Sequence, residues 1–308
     1  MGINMRMNPV YQKELKTSVR SFRTAFILLG YNGILALFGL FAFYVTFEYD
    51  SRYGGTVDYS AILRIYAIIT AAEFALVLFT VPALTAASIS SEREKQTLEI
   101  LLTTKLTPFQ IILGKLASSI SLIILLAFSS LPVLAIVFTI GGVTLKDFTE
   151  FMLLIVSTAI FIGSIGIFFS TLFKKTTSAT VSTYGVLMFL GLGTLAILWA
   201  IRIIVEIKVN QLSAGAIYKP DPDIGNWILV LLINPAVTFF SMIEDQIGTG
   251  SRLTAFFGNF GTISLSIQRY WFFISIFWQL VVSVILLGCS AKLLNPLQER
   301  FCKKKRRR

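Results

Sequence analysis

The sequence predicts an all-α membrane protein with six transmembrane helices, and its composition is the first observation that predicts this class. Of the 308 residues, 55% are hydrophobic and only 14% are charged, whereas a soluble domain carries about 25% charged residues. Soluble proteins rarely expose a contiguous apolar patch larger than a few hundred Å². The composition therefore excludes a soluble enzyme and indicates that lipid surrounds most of the chain.

Six apolar runs are long enough to cross a bilayer, which takes about 20 residues in a helix. They are predicted at residues 24–47, 61–88, 110–139, 150–173, 178–204 and 270–292. A seventh run, 227–243, is shorter and carries Asn234 and Pro235 in its middle. We therefore expect one transmembrane domain over residues 1–308.

The charges predict the orientation of these helices. If the N-terminus is cytoplasmic and six helices cross, the cytoplasmic segments hold 19 of the 27 basic residues and five of the 16 acidic ones. Their balance is +14, against −2 for the exterior segments, as the positive-inside rule requires. A full crossing by 227–243 would place the basic run Lys303–Arg308 outside, so we expect a re-entrant or interfacial element, broken at Pro235. The basic run is interpreted as a cytoplasmic anchor that touches anionic lipid, not as a nucleic-acid tail.

Residues 1–23 are predicted to form a cytoplasmic amphipathic helix. Its apolar positions recur at helical spacing and comprise Tyr11, Leu15, Val19 and Phe22. Lysine and arginine fill the other face, as in helices that lie on a membrane surface. A simple interfacial anchor explains this pattern as well as a specific role does.

The segment from Ser88 to Pro108 is predicted to hold a short amphipathic helix between the second and third spans. Ser91 and Glu94 have capping-box spacing, and Thr107–Pro108 opens the next span. The apolar stripe of this helix comprises Leu98, Leu101 and Leu102. The helix either offers a ridge that a soluble partner grips or is only a well-capped surface loop, and the pattern favours neither.

This segment resembles the coupling region of ABC exporter permeases of the second type. The resemblance rests on the run Ser-Glu-Arg-Glu-Lys-x-Thr-Leu-Glu-Ile-Leu-Leu-Thr-Thr from Ser91, with Gly114–Lys115 following. The opening Asn-Pro-Val-x-x-Lys-Glu-Leu, from Asn8, is similar to the N-terminal connecting helix of that family. Six spans, cytoplasmic termini and an outer re-entrant element before the last span fit the same family. Gln96 stands where the family usually has glycine, and Lys105 where proline is common.

The resemblance implies a permease subunit of an exporter in the cytoplasmic membrane of a prokaryote. It implies a coupling helix at about 92–104 that sits in a cleft of a cytoplasmic ATPase. The implied partners are two ABC ATPase subunits, a second permease that is identical or homologous, and the lipid bilayer, without nucleic acid. ATP and magnesium would be bound by the ATPase, with no cofactor in this chain. The candidate ATPase contacts are Glu92, Arg93, Glu94, Thr97, Glu99 and Leu102.

The chain itself is not expected to be an enzyme. Gly114–Lys115 is the nearest approach to a P-loop, but Leu116 follows where serine or threonine is needed, and Phe109 occupies the first glycine position. Lys115 is interpreted as a residue that snorkels at the cytoplasmic end of the third span. Histidine is absent and the two cysteines are not clustered, so no metal site is predicted. The alternatives to an exporter subunit are a stand-alone channel or scaffold and a membrane-embedded enzyme, which would need clustered acids or nucleophiles.

Glu73 lies near the middle of the second span, where a carboxylate is a functional candidate by default. It could pair with a cation or hydroxyl across a helix interface, line the substrate path, or couple transport to protons.

Small residues recur in two spans. The fourth span carries Ala159, Gly163, Gly166 and Ser170, and the fifth opens with Ser178, Ser182 and Gly185. Small residues let helix backbones approach closely, and for the fourth span we expect packing within one subunit. For the fifth span, the resemblance implies an interface between two permeases that is shared with the first span.

Overall fold

The fold is built from helices throughout the part of the chain that is described. A computed structural model describes residues 8–19, 21–52, 59–104, 106–140, 143–212, 223–247, 251–261 and 263–294. The α-helices are α1 (Pro9–Val19), α2 (Phe22–Arg52), α3 (Tyr59–Thr85), α4 (Ser90–Glu94), α5 (Leu98–Leu102), α6 (Pro108–Ser129), α7 (Leu131–Ile140), α8 (Leu145–Leu172), α9 (Thr176–Met188), α10 (Thr194–Leu212), α11 (Pro235–Ile247), α12 (Ser251–Gly258), α13 (Leu265–Arg269) and α14 (Trp271–Leu293). A π-helical stretch, Phe189–Gly193, joins α9 to α10, and a 3₁₀ helix, Gly225–Ile233, precedes α11.

Six of the helical stretches in the described residues are long and apolar enough to cross a membrane. They are Thr24–Thr46, Ile62–Glu94, Pro108–Ala135, Leu145–Leu172, Thr176–Leu212 and Trp271–Leu293. Each overlaps one of the six predicted spans. The prediction of an all-α membrane protein is therefore confirmed.

The seventh apolar run is sharply bent, as its Asn-Pro dipeptide predicted. The 3₁₀ helix Gly225–Ile233 and α11 meet at 96° across a break at Asn234. Proline has no N–H and favours the first turn of a helix, so Pro235 begins α11.

The first of two compact units comprises Met1–Tyr184 and Val281–Arg308. One of its apolar clusters joins α1, the segment between the second and third spans, and the starts and ends of several spans. The buried members are Val10, Ile89, Leu98, Ile111, Ile112, Leu116, Ile167, Leu287 and Leu294. Leu101 and Leu102 pack against the same cluster. The segment between the second and third spans is therefore part of the core of this unit.

The second unit, Gly185–Leu280, has an apolar cluster of its own. Its buried members are Leu198, Ile224, Ile228, Leu231, Leu232, Val237, Phe257, Phe260 and Trp271. The rings of Phe257 and Trp271 lie 4.4 Å apart between centroids, close enough for favourable aromatic packing. This cluster holds the bent pair of helices against α12 and the start of α14.

The fourth span, α8, is the most deeply packed of the six. In its most apolar stretch, 72% is buried inside the protein. A Cβ atom added at Gly166 would overlap Thr85 Oγ1 and lie 3.2 Å from the backbone nitrogen of Ala86. Only a residue without a side chain lets the second span come this close. The predicted packing of this stripe within one subunit is confirmed.

The N-terminal helix differs from its prediction at its end. Helix α1 stops at Val19, and Phe22 begins α2 with 85% of its surface exposed. The apolar face of α1 therefore does not extend to Phe22, although the periodicity included it. Lys105 and the basic run Lys303–Arg308 lie outside the described residues.

Candidate functional site

The coupling segment, defined here as residues 90–104, is two short helices and not one. Helix α4 ends at Glu94, α5 begins at Leu98, and Gln96 between them has a φ of +58°. The single coupling helix predicted at about 92–104 is thus interrupted, because a residue in the left-handed region cannot continue a right-handed helix. A turn at Lys95 and Gln96 separates the two halves of the segment.

The predicted capping box at Ser91 is wrong. Helix α4 begins one residue earlier and has no side-chain cap of its own. Instead, the backbone N–H groups of Ile89 and Ser90 both donate to Ser170 Oγ on the fourth span, each at 2.9 Å. A helix start needs partners for its first N–H groups, and here a distant span provides the partner.

Two further residues of α4 bind the junction between the fourth and fifth spans. Arg93 Nη1 donates to the carbonyl oxygen of Phe173 at 3.3 Å. The Glu94 carboxylate accepts from the backbone N–H of Thr176, the first residue of α9, at 2.8 Å. Both were candidate ATPase contacts, and the structure places both on the protein's own backbone.

The apolar stripe of α5 faces the interior of the chain. Leu98 is buried, and Leu101 and Leu102 pack against the same cluster. Leu102 was a candidate ATPase contact, but it contributes to the core of the first unit. The apolar stripe, which could have served as a ridge for a partner, therefore packs within the chain.

The outward face of the coupling segment consists of other residues. Thr97 and Glu99, both candidates, are exposed, and Ile100 is 68% exposed. Sequence reasoning missed Ile100 because the stripe at Leu98, Leu101 and Leu102 leaves it off the apolar face. An exposed large apolar side chain between polar neighbours was the available signal.

Glu92 is paired within the chain. Its carboxylate lies 2.8 Å from Lys115 Nζ, near the start of the third span. Lys115 is only 3% exposed. The snorkelling interpretation of Lys115 is therefore wrong, since the ammonium group turns into the protein, where a carboxylate compensates its burial.

Glu73 is fully buried and pairs with a hydroxyl across a helix interface. Ser130 Oγ, between α6 and α7, donates to Glu73 Oε1 at 2.7 Å. Tyr31 on α2 is also buried, and its hydroxyl has no hydrogen-bond partner in the described residues. Of the alternatives drawn from the sequence, the arrangement favours a pairing that joins the second and third spans.

A second buried acid was not singled out from the sequence. Glu244 on α11 is 6% exposed, and its Oε2 atom has no hydrogen-bond partner in the described part of the protein. Glu244 directly follows the apolar run 227–243, so it was counted among the exterior residues.

A family model described as "ABC-2 family transporter protein" matches residues 44–292. The chain belongs to the ABC-2 transporter family. The match includes the coupling segment, Glu73 and the bent pair of helices, and it covers most of the chain. No curated protein matches the chain. The protein is thus the multi-pass membrane subunit of an ABC-2 transporter, a kind of subunit that partners with ATPase subunits.

In this ABC-2 subunit, Asn234 and Pro235 form the corner of the bent pair. The Asn234 amide nitrogen donates to Thr194 Oγ1 at 2.9 Å and to the carbonyl oxygen of Gly191 at 3.0 Å. Its side-chain oxygen accepts from the backbone N–H of Ala236 at 2.9 Å. A sharp bend exposes backbone groups that helices normally satisfy, and Asn234 supplies one of the missing partners.

Proposed function

We propose that this permease subunit forms the substrate path of an exporter and couples it to separate ATPase subunits through the coupling segment. The observation that carries the proposal is the exposed face of α5, with Thr97, Glu99 and Ile100. The opposite face of the same short helix is held in the core. A partner that presses on this face therefore moves a segment that is firmly joined to the second, third and fourth spans.

Two cytoplasmic ATPase subunits are the proposed partners, and they would bind ATP and magnesium. The charge asymmetry of the sequence supports a cytoplasmic location for the coupling segment and both termini. ATP binding would draw the two ATPase subunits together and displace the coupling segments. The displacement would open the path between the permease subunits.

A second permease, identical or homologous, is the other proposed partner. Among the six spans of the described residues, the first and fifth are the least buried. Only 22% and 11% of their most apolar stretches lie inside the protein. The small-residue face of the fifth span stays open, since a Cβ atom at Gly185 would meet nothing within 4 Å. A face that accepts close backbone approach, and that meets nothing at Gly185 in the described residues, suits a helix interface with another subunit.

The test is copurification of the ATPase from the native membrane with wild-type and Ile100→Asp chains. We expect an ABC ATPase to copurify with the wild-type chain. An acid at the centre of an interface typically costs 2 kcal/mol or more, so Ile100→Asp should lower the recovered ATPase by at least about tenfold.

Leu212→Asp is the matched control, because Leu212 is an exposed leucine at the far end of the fifth span. It should leave ATPase recovery unchanged. The coupling proposal fails if no ABC ATPase copurifies with the wild-type chain. It also fails if Ile100→Asp and Leu212→Asp behave alike.

A further inference from the structure

Lys115 is a buried cation shared by two carboxylates from two different elements. Its Nζ atom lies 2.9 Å from Glu14 Oε1 on α1 and 2.8 Å from Glu92 Oε1 on α4. Lys115 itself belongs to α6. A charge this deeply buried is stable only when it is paired and hydrogen-bonded. The N-terminal helix, the coupling segment and the third span therefore meet at one ammonium group.

The N-terminal helix is fastened to the third span at several further points. Asn8 accepts from the backbone N–H of Val10 at 3.0 Å and also donates to the carbonyl oxygen of Gln110. Tyr11 and Ser121 share a hydrogen bond of 3.0 Å. These contacts make α1 and the start of α6 one body.

Gly114, next to Lys115, makes this close approach possible. A Cβ atom at Gly114 would lie 3.0 Å from Asn8 Nδ2 and 3.0 Å from Val10 Cβ, tighter than ordinary contact. The Asn-Pro-Val start of α1 and the Gly-Lys pair of α6 are therefore two halves of one docking arrangement. The first half caps and positions α1, and the second half receives it.

The connection to the coupling segment has room to change. Beside the ion pairs lies a cavity of about 440 Å³, whose lining includes Glu14, Glu92 and Leu101. The second carboxylate oxygen of Glu92 is buried and has no hydrogen-bond partner in the described residues. Glu92 can therefore shift relative to Lys115 without breaking other bonds of its carboxylate, whereas Glu14 stays with α1.

We propose that Lys115 is the positioning residue that transmits a displacement of the coupling segment, through Glu92, to the N-terminal helix and the third span. This inference rests on the proposed function for the origin of the displacement. The link itself exists within the single chain. Lys115 acts through the two carboxylates and is not a contact for the ATPase or for the transported substrate.

The first measurement is amide hydrogen exchange in α1 of the purified full-length chain in lipid nanodiscs. Glu92→Gln should raise exchange in α1 by about tenfold, because it removes one of the two anions that hold Lys115 in place. In a Lys115→Met background, Glu92→Gln should add nothing further. Glu99→Gln, which removes an exposed carboxylate on α5, is the matched control and should leave α1 unchanged.

The second measurement is the steady-state kinetics of ATP hydrolysis by the permease–ATPase complex. Lys115→Met should lower kcat by about fivefold or more and leave KM for ATP unchanged, because the nucleotide site is untouched. Lys115→Arg keeps the charge and should restore most of kcat. A merely structural loss would lower the amount of complex and not the turnover of the complex that forms.

The inference is overturned if α1 exchange is the same in Glu92→Gln and wild-type chains. It is also overturned if Lys115→Met and Lys115→Arg give equal kcat. These outcomes are distinguishable from a failure of the proposed function. If α1 responds to Glu92→Gln but no ABC ATPase copurifies with the wild-type chain, the link stands and the coupling proposal fails.

Discussion

Gln96 carries the backbone conformation that divides the coupling segment. A side chain at a positive φ costs about 1–2 kcal/mol relative to glycine, because its Cβ approaches the following carbonyl oxygen. The glycine that the resembled family usually has at this position would avoid this cost. Gln96, which stands where the resembled family usually has glycine, is therefore a strained residue.

Substitution at Gln96 should reveal this strain. Gln96→Val should lower the free energy of unfolding by about 1–2 kcal/mol, since β-branched residues tolerate a positive φ least. Gln96→Gly should be neutral or stabilising. Thermal unfolding of the purified protein in detergent measures both. Lys95→Val, at an exposed neighbour with an ordinary φ of −81°, is the control. Equal destabilisation by the two valine variants would contradict the prediction.

At the level of single residues, the sequence located the important positions better than their partners. Pairing across a helix interface was one of three roles considered for Glu73, and nothing in the sequence pointed to Ser130 as the partner. Lys115 was assigned to lipid because periodicity says nothing about the carboxylates of α1 and α4. Such pairings join residues from different elements, as the separations of 57 residues between Glu73 and Ser130 and of 101 residues between Glu14 and Lys115 illustrate.

At the scale of helices, the two small-residue stripes have different surroundings. Gly166 on α8 lies against Thr85 and Ala86, and Gly185 on α9 meets nothing within 4 Å. Both stripes were recognised from spacing alone. The difference between them arises from tertiary packing, which spacing does not report.

Substitution by alanine at these two glycines should therefore affect the stability of the protein to different extents. Gly166→Ala should destabilise the protein by about 1–3 kcal/mol, because the added methyl group overpacks the contact with the second span. Gly185→Ala should leave the stability of the isolated chain unchanged. Thermal unfolding in detergent compares them directly. Similar unfolding temperatures for the two variants would show that α3 and α8 are not packed this closely.

The helix boundaries show why some elements were easier to predict than others. Thr107 was expected to open the third span, and it caps α6 in a complete capping box with Gln110. That signal is local, since all its partners lie within four residues. The start of α4 had an equally good local signal at Ser91, but Ser170 from the fourth span satisfied the N–H groups instead. Local capping rules fail where a residue distant in sequence accepts the hydrogen bonds of the first N–H groups of the helix.

At the scale of the whole molecule, the open faces of the first and fifth spans predict where a second permease binds. Val181 on the fifth span is 66% exposed, and Leu153 on the fourth is 45% exposed. With the native Cys289 and Cys302 replaced by serine, Val181→Cys should form an oxidative cross-link in native membranes. Leu153→Cys is the control and should not.

The mass of the cross-linked species distinguishes an identical partner from a homologous one. A cross-linked band with twice the mass of the chain on a denaturing gel indicates two copies of this chain. If the band has another mass, mass spectrometry of the cross-linked species identifies the partner. Absence of a cross-link from Val181→Cys contradicts the proposed interface. Equally efficient cross-linking from Leu153→Cys would do so as well.

Hydropathy predicted the six spans, because a helix needs about 20 apolar residues to cross the bilayer. The bent element was predicted from Pro235 and from the charge balance. The candidate coupling site followed less directly. Its role in coupling stays a prediction, and the identity of its outward face depended on which side of α5 the core occupies. That choice is made by the packing of Leu98 on α1 and α6, which no local pattern encodes.

The contacts of α4 with the fourth span also constrain how the protein is made. Ser90 and its partner Ser170 are 80 residues apart, and Glu94 and Thr176 are 82 residues apart. At synthesis rates of about 5–20 residues per second, the segment waits about 4–16 s for the partners of its backbone. During that interval the backbone N–H of Ser90 and the carboxylate of Glu94 lack the partners that they have in the folded protein. The coupling segment can therefore gain these contacts only after the ribosome has completed the fourth span and reached Thr176.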